Sequence, residues 1–565
     1  MRPKPFVVAC VVAVLPLAGL TASAAPPACD LLFAGGRVVD GTGAPWFEAD
    51  VCVAGDKIAA VGRLEKATAK RRIDASSLVI APGFIDMMGQ SEYNLLVDNR
   101  AASKITQGIT TEMTGEGTSI APTNARMIAS QKEVFERYGV RPDWTTLAGY
   151  WKAFARARPA INMGTFVGAG GVRNLVIGEG DRPPTPEELK AMEAAVAQAM
   201  EEGAFGLSTS LQYVPDRFAS TEEIVALAKV VARYGGTYIS HQRSESDKID
   251  ESLDEIFRIA REAKIPAQVY HLKTSSRKNW GRMPAVLKRL EQARAEGLDV
   301  SADQYPYTAG QNGVDANLPL WVREGGRDKM ADRLKDPATR AKIKAEIAKD
   351  DGSWENQWLG AGGPSGVLVV SVVNTALKKY EGKTFEQIGN EQGKDPLDAL
   401  MDLVIADRGN SSNVIFIMSE DDVRTALKHP LVSLCTDSSA VAADGIYAEE
   451  KSHPRAWGSA TRILGKYVRE EKLLSLEEAI RKMTSLPASR MGLADRGILR
   501  PGLAADLVAF DPNTVRDRAT YENPLQYGEG MPYVAVNGQL VVDGGKITAA
   551  RPGRPLMGPG YTGAR

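Results

Sequence analysis

Histidine and cysteine are both scarce in this chain of 565 residues, with four of each. No CxxC pair exists, which removes any structural zinc module of the finger or ribbon type. No GxGxxG loop follows a strand, there is no Walker phosphate loop, and no GxSxG elbow is present. Those absences argue against dinucleotide binding, nucleotide-triphosphate chemistry and a serine nucleophile on a hydrolase elbow. Basic runs are also missing, and 69 basic residues stand against 70 acidic ones for a net charge of −1. A nucleic-acid partner therefore has no electrostatic footprint here. Past residue 20, no stretch approaches the roughly 20 apolar residues of a spanning helix.

The one long apolar run is at the start. Arg2 and Lys4 precede Phe6 to Leu20, and Ala22-Ser23-Ala24 follows. A positive n-region, an h-region of about 15 residues and an A-x-A site read as a secretory signal over residues 1–24. The competing reading, a membrane anchor, is disfavoured by the short span and the small residues after it. The expected location is periplasmic or secreted. Cys10 belongs to that segment, and Cys435 ends a later apolar run. Cys29 and Cys52 flank two short strand-like segments, so an oxidising compartment permits a Cys29–Cys52 disulfide. Two separate buried thiols are the alternative.

A composition of 44% hydrophobic and 25% charged residues is that of a globular chain, and the length exceeds one compact core. Residues 30–63 alternate short apolar strands with turns, a small antiparallel pattern. A similar pattern returns at Ala505 to Phe510 and Tyr533 to Val542, where Asn537-Gly538 marks a hairpin turn. Two such segments at opposite ends can form one β-sandwich with a larger domain between them. The middle alternates strands, such as Leu78 to Ile85, Ala267 to Tyr270 and Val432 to Leu434, with helices over Pro186 to Glu202 and Ile249 to Lys264. That rhythm predicts parallel strands with crossover helices, in a barrel or a doubly wound sheet. Residues 308–365 break it and read as an insertion from the strand-end face.

Scarcity makes each histidine informative. His241 and His271 each follow a short apolar strand, thirty residues apart. His429, before a proline, reads as a helix end, and His453 precedes Pro454-Arg455. A strand-end histidine is more often a satisfied hydrogen-bonding group than a ligand, but two on consecutive strands favour a metal. Glu116, between two glycines, and Asp437, in CTDSS, stand at other strand ends. A helix N-cap or surface acid remains the alternative for either.

The runs DLLFAGGRVVDGTG, APGFID, ITQGITTEMTGEG, SHQR, YHLK, ADQYPYTAGQ, CTDSSA and HPRAWG, with the closing SLEEAIRKMTSLPASRMGLADRGILRPGLAADLVAFDP, resemble the D-aminoacylases of the amidohydrolase superfamily. The likeness spans nearly all of the chain after the signal, in order. It implies a (β/α)8 TIM-type barrel over 81–494 and a small β-sandwich from 25–80 and 495–565. It also implies zinc-dependent hydrolysis of a linear amide, with an N-acyl-D-amino acid or a dipeptide ending in a D-residue as the small-molecule partner. By resemblance His241 and His271 are zinc ligands, Asp437 is the general base, and Lys273 binds the substrate carboxylate. Tyr213, Tyr305 and Gln311 join the substrate site. Arg243 is read as a further substrate contact or a structural cation, and His453 as a partner of Asp437 or a structural residue.

Two positions depart from the family pattern. The superfamily places His-x-His after GFID plus one residue, where this chain has Met88 and Gln90. A thioether and a neutral amide are poor zinc ligands. D-aminoacylases often carry Cys where Glu116 stands, and a glutamate can bind zinc in its place. The expectation is one tight Zn2+ held by Glu116, His241 and His271. Two other readings stay open: a cyclic-amide hydrolase of the dihydroorotase or hydantoinase type, and a catalytically inactive binding protein of the same fold.

Overall fold

The computed structural model describes residues 28–563. The signal pattern and Cys10 lie outside the described residues. Among the described residues no helix is long and apolar enough to cross a membrane.

Eight short strands carry the central domain: β1 Phe84–Asp86, β2 Ile109–Thr114, β3 Asn162–Thr165 continued by Val167–Gly168, β4 Gly206–Ser210, β5 Thr237–His241, β6 Ala267–Val269, β7 Val300–Gln304 and β8 Val432–Leu434. Each pairs in parallel with the next. The ring closes from β8 to β1: the Met87 amide donates to Leu434 O at 3.3 Å, and a parallel bridge joins Gly89 to Ser438. A closed ring of eight leaves no edge strand, and β2, β4 and β5 are buried along their whole length, as parallel barrel strands are. Crossover helices cover the outside. The helix Pro186–Glu201 begins on a capping box between Thr185 and Glu188 with Pro at its first turn. The helix Ile249–Ala263 buries Ile249, Leu253, Ile256, Phe257 and Ala260, the spacing that marked it in the sequence.

Both termini build one nine-stranded sheet. Its halves meet where Val79–Pro82 pairs antiparallel with Leu507–Phe510. A bridge between Lys57 and Ala504 folds the sheet over a separate core of Phe33, Val51, Ile58, Ile80 and Leu507. The Tyr533–Val536 and Gln539–Asp543 hairpin turns at Asn537 and Gly538, whose φ of 45° and 77° is what a tight hairpin turn requires.

The excursion between β7 and β8 is longer than the sequence boundary of 308–365. It includes an antiparallel sheet of Gly310–Gly313, Ser412–Ile415 and Val367–Ser371, and the helices Phe385–Gln392 and Pro396–Ala406. Its second half repeats a strand-and-helix alternation, so periodicity alone cannot separate it from the barrel.

Cys29 and Cys52 are disulfide-bonded across neighbouring strands, with Cα atoms 5.4 Å apart. Closing a loop of 23 residues contributes roughly 3 kcal/mol in the chain-entropy account. In unreduced, denatured protein lacking residues 1–24, thiol titration should find one thiol, the buried Cys435. Three titratable thiols would show that the pair is not bonded.

Candidate metal and catalytic site

The site sits at the carboxyl ends of the strands, the face where barrels carry chemistry. Glu116 lies two residues past β2 between Gly115 and Gly117, whose φ is 96° and 57°. A Cβ at Gly115 would meet Phe166 O at 2.5 Å, and one at Gly117 would meet the Ser210 side chain at 2.3 Å. Only glycine lets this turn press against β3 and β4 and aim Glu116 inward. His241 is the last residue of β5. His271 follows β6 and Asp437 follows β8 in left-handed backbone, at φ 34° and 49°. Such conformations cost energy for non-glycine residues and concentrate at functional sites.

Glu116, His241 and His271 bring one ligand atom each within 4.8 Å of one another. Glu116 Oε1 is 2.8 Å from His241 Nδ1 and 3.5 Å from His271 Nε2, and the two rings stand at 84°. The partners of the outer ring nitrogens decide what this cluster can hold. His241 Nε2 is 2.8 Å from Gln212 Oε1, an acceptor, so Nε2 carries the proton and Nδ1 turns a lone pair to Glu116. His271 Nδ1 lies 3.0 Å from Glu245 Oε1 and 2.7 Å from Lys273 Nζ; in the tautomer that can bind a metal, Glu245 takes the Nδ1 proton and Nε2 is free. In that tautomer, lone pairs on two imidazoles converge on a carboxylate oxygen, a contact that needs a proton or a cation between. Carboxylates and amides behind ligating histidines are the usual support of a metal. The donor set fits one divalent ion with an open coordination position.

The electrostatics agree. Burial would raise the Glu116 carboxyl, but hydrogen bonds and charge from His241 and His271 hold it well below the usual carboxylate range. Burial and the Lys273 ammonium oppose charging of His271, yet Glu245, Asp437 and Glu116 push it up to about 9. Glu116, His241 and His271 would give up these protons to bind a metal.

Asp437 stands outside this triad. Its Oδ1 accepts from Gln90 Nε2 at 3.1 Å, and its Oδ2 is 2.7 Å from Arg455 Nη1. Burial raises its pKa against the opposing charges of Arg455 and His271. The Arg455 contact is an ion pair rather than an aligned hydrogen bond, and Arg455 Nε has no acceptor among the described residues. The guanidinium lies 4.6 Å from the ring centre of Tyr305 and lines the same cavity of about 270 Å³ as the metal cluster.

Most of the residues expected at the site are brought together there. Lys273, Tyr213, Tyr305 and Gln311 all line the cavity. Lys273 Nζ lies 2.6 Å from Glu245 Oε1 and 2.7 Å from His271 Nδ1. Gln311 Oε1 accepts from the His453 amide at 3.2 Å.

Two expectations are corrected. Arg243 is not in the site: it forms two hydrogen bonds to Glu255, at 2.8 and 2.9 Å, and lines a separate cavity of about 350 Å³. Strand β5 ends at His241, so its side-chain alternation does not continue to residue 243. His453 does not touch Asp437. It is fully buried, with Nε2 donating to Ala309 O at 2.9 Å and Nδ1 accepting from the Arg455 amide at 2.9 Å. Burial keeps its imidazole well below the usual range, hence neutral. Arg455, two residues on, is the partner of Asp437.

Two further residues of the site carry no role in the sequence pattern: Arg455, within HPRAWG, and Glu245, just past SHQR. The four-residue step from His241 to Glu245 was the available signal for the latter. Gln212 and Glu355 had no motif. Gln212 hydrogen-bonds Glu355, whose carboxyl burial and the Glu245 charge push up to about 8.

Comparisons with known proteins find relatives along nearly the whole chain. A profile of the Amidohydrolase family matches residues 71–542. A D-aminoacylase from Alcaligenes xylosoxydans xylosoxydans is 34% identical over 528 residues, covering 93% of this chain and 97% of its own. A crystal structure of N-acyl-D-glutamate deacylase from Bordetella bronchiseptica, complexed with zinc and a phosphonate mimic of the tetrahedral intermediate, superposes with a TM-score of 0.78 at 31% identity. It covers 94% of this chain and 99% of its own. A D-aminoacylase structure, TM-score 0.77 at 34% identity over 94% of this chain and all of its own, is described with a binuclear metal center showing one-metal activation and second-metal attenuation.

Proposed function

The chain belongs to the amidohydrolase family, and from that premise we propose that it is a zinc-dependent deacylase of N-acyl-D-amino acids. The observation that carries the reading is the triad of Glu116, His241 and His271 with Asp437 beside it but outside it, on one cavity with two cations. Glu116, His241 and His271 would hold Zn2+, which supplies Lewis acidity for the scissile carbonyl and the attacking water.

Asp437 accepts the water's proton as its oxygen bonds to the carbonyl carbon, and passes it to the nitrogen as the C–N bond breaks. The products are a carboxylic acid and a free amino acid, with no covalent enzyme intermediate. Its raised pKa suits a base that must also give the proton back. Arg455, whose Nε has no acceptor among the described residues, and Lys273 anchor the substrate carboxylate; Tyr305 packs between them. Tyr213 and Gln311 form further wall. A dipeptide ending in a D-residue presents the same carboxylate and amide, and belongs to the same proposal.

Export to the periplasm or medium is also proposed. It is supported by the residue pattern of 1–24 and by a disulfide, which persists in oxidising compartments.

The test is release of free amine from N-acetyl-D- and N-acetyl-L-amino acids by zinc-loaded protein. Turnover of the D series with little of the L series is expected. Full zinc occupancy with no turnover of either series would overturn the activity and favour a binding protein of the same fold.

A further inference from the structure

Met88 and Gln90 take opposite positions around Gly89. Met88 is 1% exposed and joins the main core, while Gln90 projects into the catalytic cavity. The Gln90 backbone is clamped to the loop that carries Asp437. Its amide donates to Ser438 O at 3.3 Å, and its carbonyl accepts from Ser439 Oγ at 2.6 Å. The Asp437 amide in turn donates to Met88 O at 2.9 Å. The two strand ends therefore fix the Gln90 side chain relative to Asp437.

From that clamp, Gln90 Nε2 reaches Glu116 Oε2 at 3.2 Å and Asp437 Oδ1 at 3.1 Å. An NH2 group carries two hydrogens, and here two carboxylate oxygens receive them. The oxygens of Glu116 are divided: Oε1 faces the two histidines and Oε2 faces the amide. Two carboxylates converging on one point repel unless a proton, a donor or a cation lies between them. Here the donor is neutral. The cations nearby approach from elsewhere: Arg455 at Asp437 Oδ2, and the buried Lys104, which donates to Asp86 Oδ2 at 2.6 Å, Thr436 Oγ1 at 2.8 Å and Ser438 O at 2.8 Å.

We propose that the Gln90 amide stands where a second metal would have to bind, bridging Glu116 and Asp437, so that the centre holds one metal and is not attenuated by excess metal. The proposal rests on the metal-dependent reading above. A second cation on this side would have to displace the amide. It would then find Glu116 Oε2 and Asp437 as its anionic ligands, with no histidine on β1 and only a buried thioether there. Gln90 thus becomes a positioning residue. It orients Asp437 without turning it into a metal ligand, and leaves its carboxylate as a base.

The experiment compares wild type, Gln90→Leu, Gln90→Glu and the double variant Met88→His/Gln90→His. Bound zinc after gel filtration, kcat and KM are measured as zinc rises from zero to ten equivalents. Wild type is expected to retain one equivalent and to show flat kcat above it. Gln90→Leu should keep its single zinc and its KM while kcat falls about tenfold, the scale of one lost hydrogen bond to a charged group. Gln90→Glu, which adds a third carboxylate and removes the donor, should take up a second equivalent, as should the double histidine variant. Both should lose turnover as that second site fills.

Two tight equivalents in wild type, wild-type inhibition between one and two equivalents, or unchanged kcat in Gln90→Leu would each overturn the assignment. The two readings fail separately. One bound zinc without hydrolysis of any N-acyl amino acid overturns the activity but not the stoichiometry. Hydrolysis with two tight zincs does the reverse.

Discussion

Asp437→Asn should retain its zinc and lose activity by about a hundredfold or more, the scale of positioned acid–base catalysis. Asparagine keeps the size of the side chain but cannot take a proton from water. Zinc retention follows from geometry, because the converging ligand atoms belong to Glu116, His241 and His271 and none to Asp437. The substitution also disturbs its neighbours in a defined way. Asp437 accepts from Gln90 on one oxygen and faces Arg455 with the other. An amide can offer its oxygen to only one of these donors, and its NH2 then opposes the other. Part of the loss will therefore be misorientation, and binding of a substrate-like inhibitor should weaken less than turnover, because Lys273 is untouched. Metal analysis beside kcat separates the outcomes. Near-wild-type turnover would refute the role of base, and loss of zinc would make Asp437 a ligand.

Glu116→Ala should lose zinc and activity together. Glu116 Oε1 lies 2.8 Å from His241 Nδ1 and 3.5 Å from His271 Nε2, so its removal leaves two imidazoles where catalytic zinc needs three protein ligands. The drop in zinc affinity should exceed the roughly 10–100-fold typical of removing a hydrogen-bonding partner behind a ligand. Glu116→Gln controls for volume. It preserves the packing between Gly115 and Gly117 but offers a neutral oxygen, and should bind zinc weakly. A full zinc equivalent in Glu116→Ala would remove Glu116 from the ligand set and leave the centre to be reassigned.

Much of this site is legible in the sequence. His241 and His271 stood out because histidine is rare and both follow apolar strands. Glu116 stood out because glycines flank it, and those glycines prove to sit where a Cβ would strike Phe166 O and Ser210. Met88 and Gln90 stood out as a break in a motif. Motifs mark which residues a family keeps, however, and not where each side chain goes. His453 and Arg455 share one motif and Arg243 follows His241 by two residues, yet of these only Arg455 reaches the chemistry.

The sequence by itself determined the kind of elements and the chemistry they carry. Helical periodicity set the Pro186–Glu201 and Ile249–Ala263 helices, and Asn537-Gly538 set a hairpin, because each depends on residues adjacent in the chain. The scarce histidines and the missing histidine pair set the expectation of one metal. Only the tertiary structure decided the partners. Glu245 behind His271, Gln212 behind His241, Arg455 on Asp437 and Gln90 between two carboxylates are contacts across strand ends. Their separations along the chain run to 347 residues, for Gln90 and Asp437. The barrel brings the ends of all eight strands to one rim, so residues that share a site need share no segment. The partner that each buried polar group finds there is set by the closure of the ring and the need to satisfy every donor and acceptor inside it.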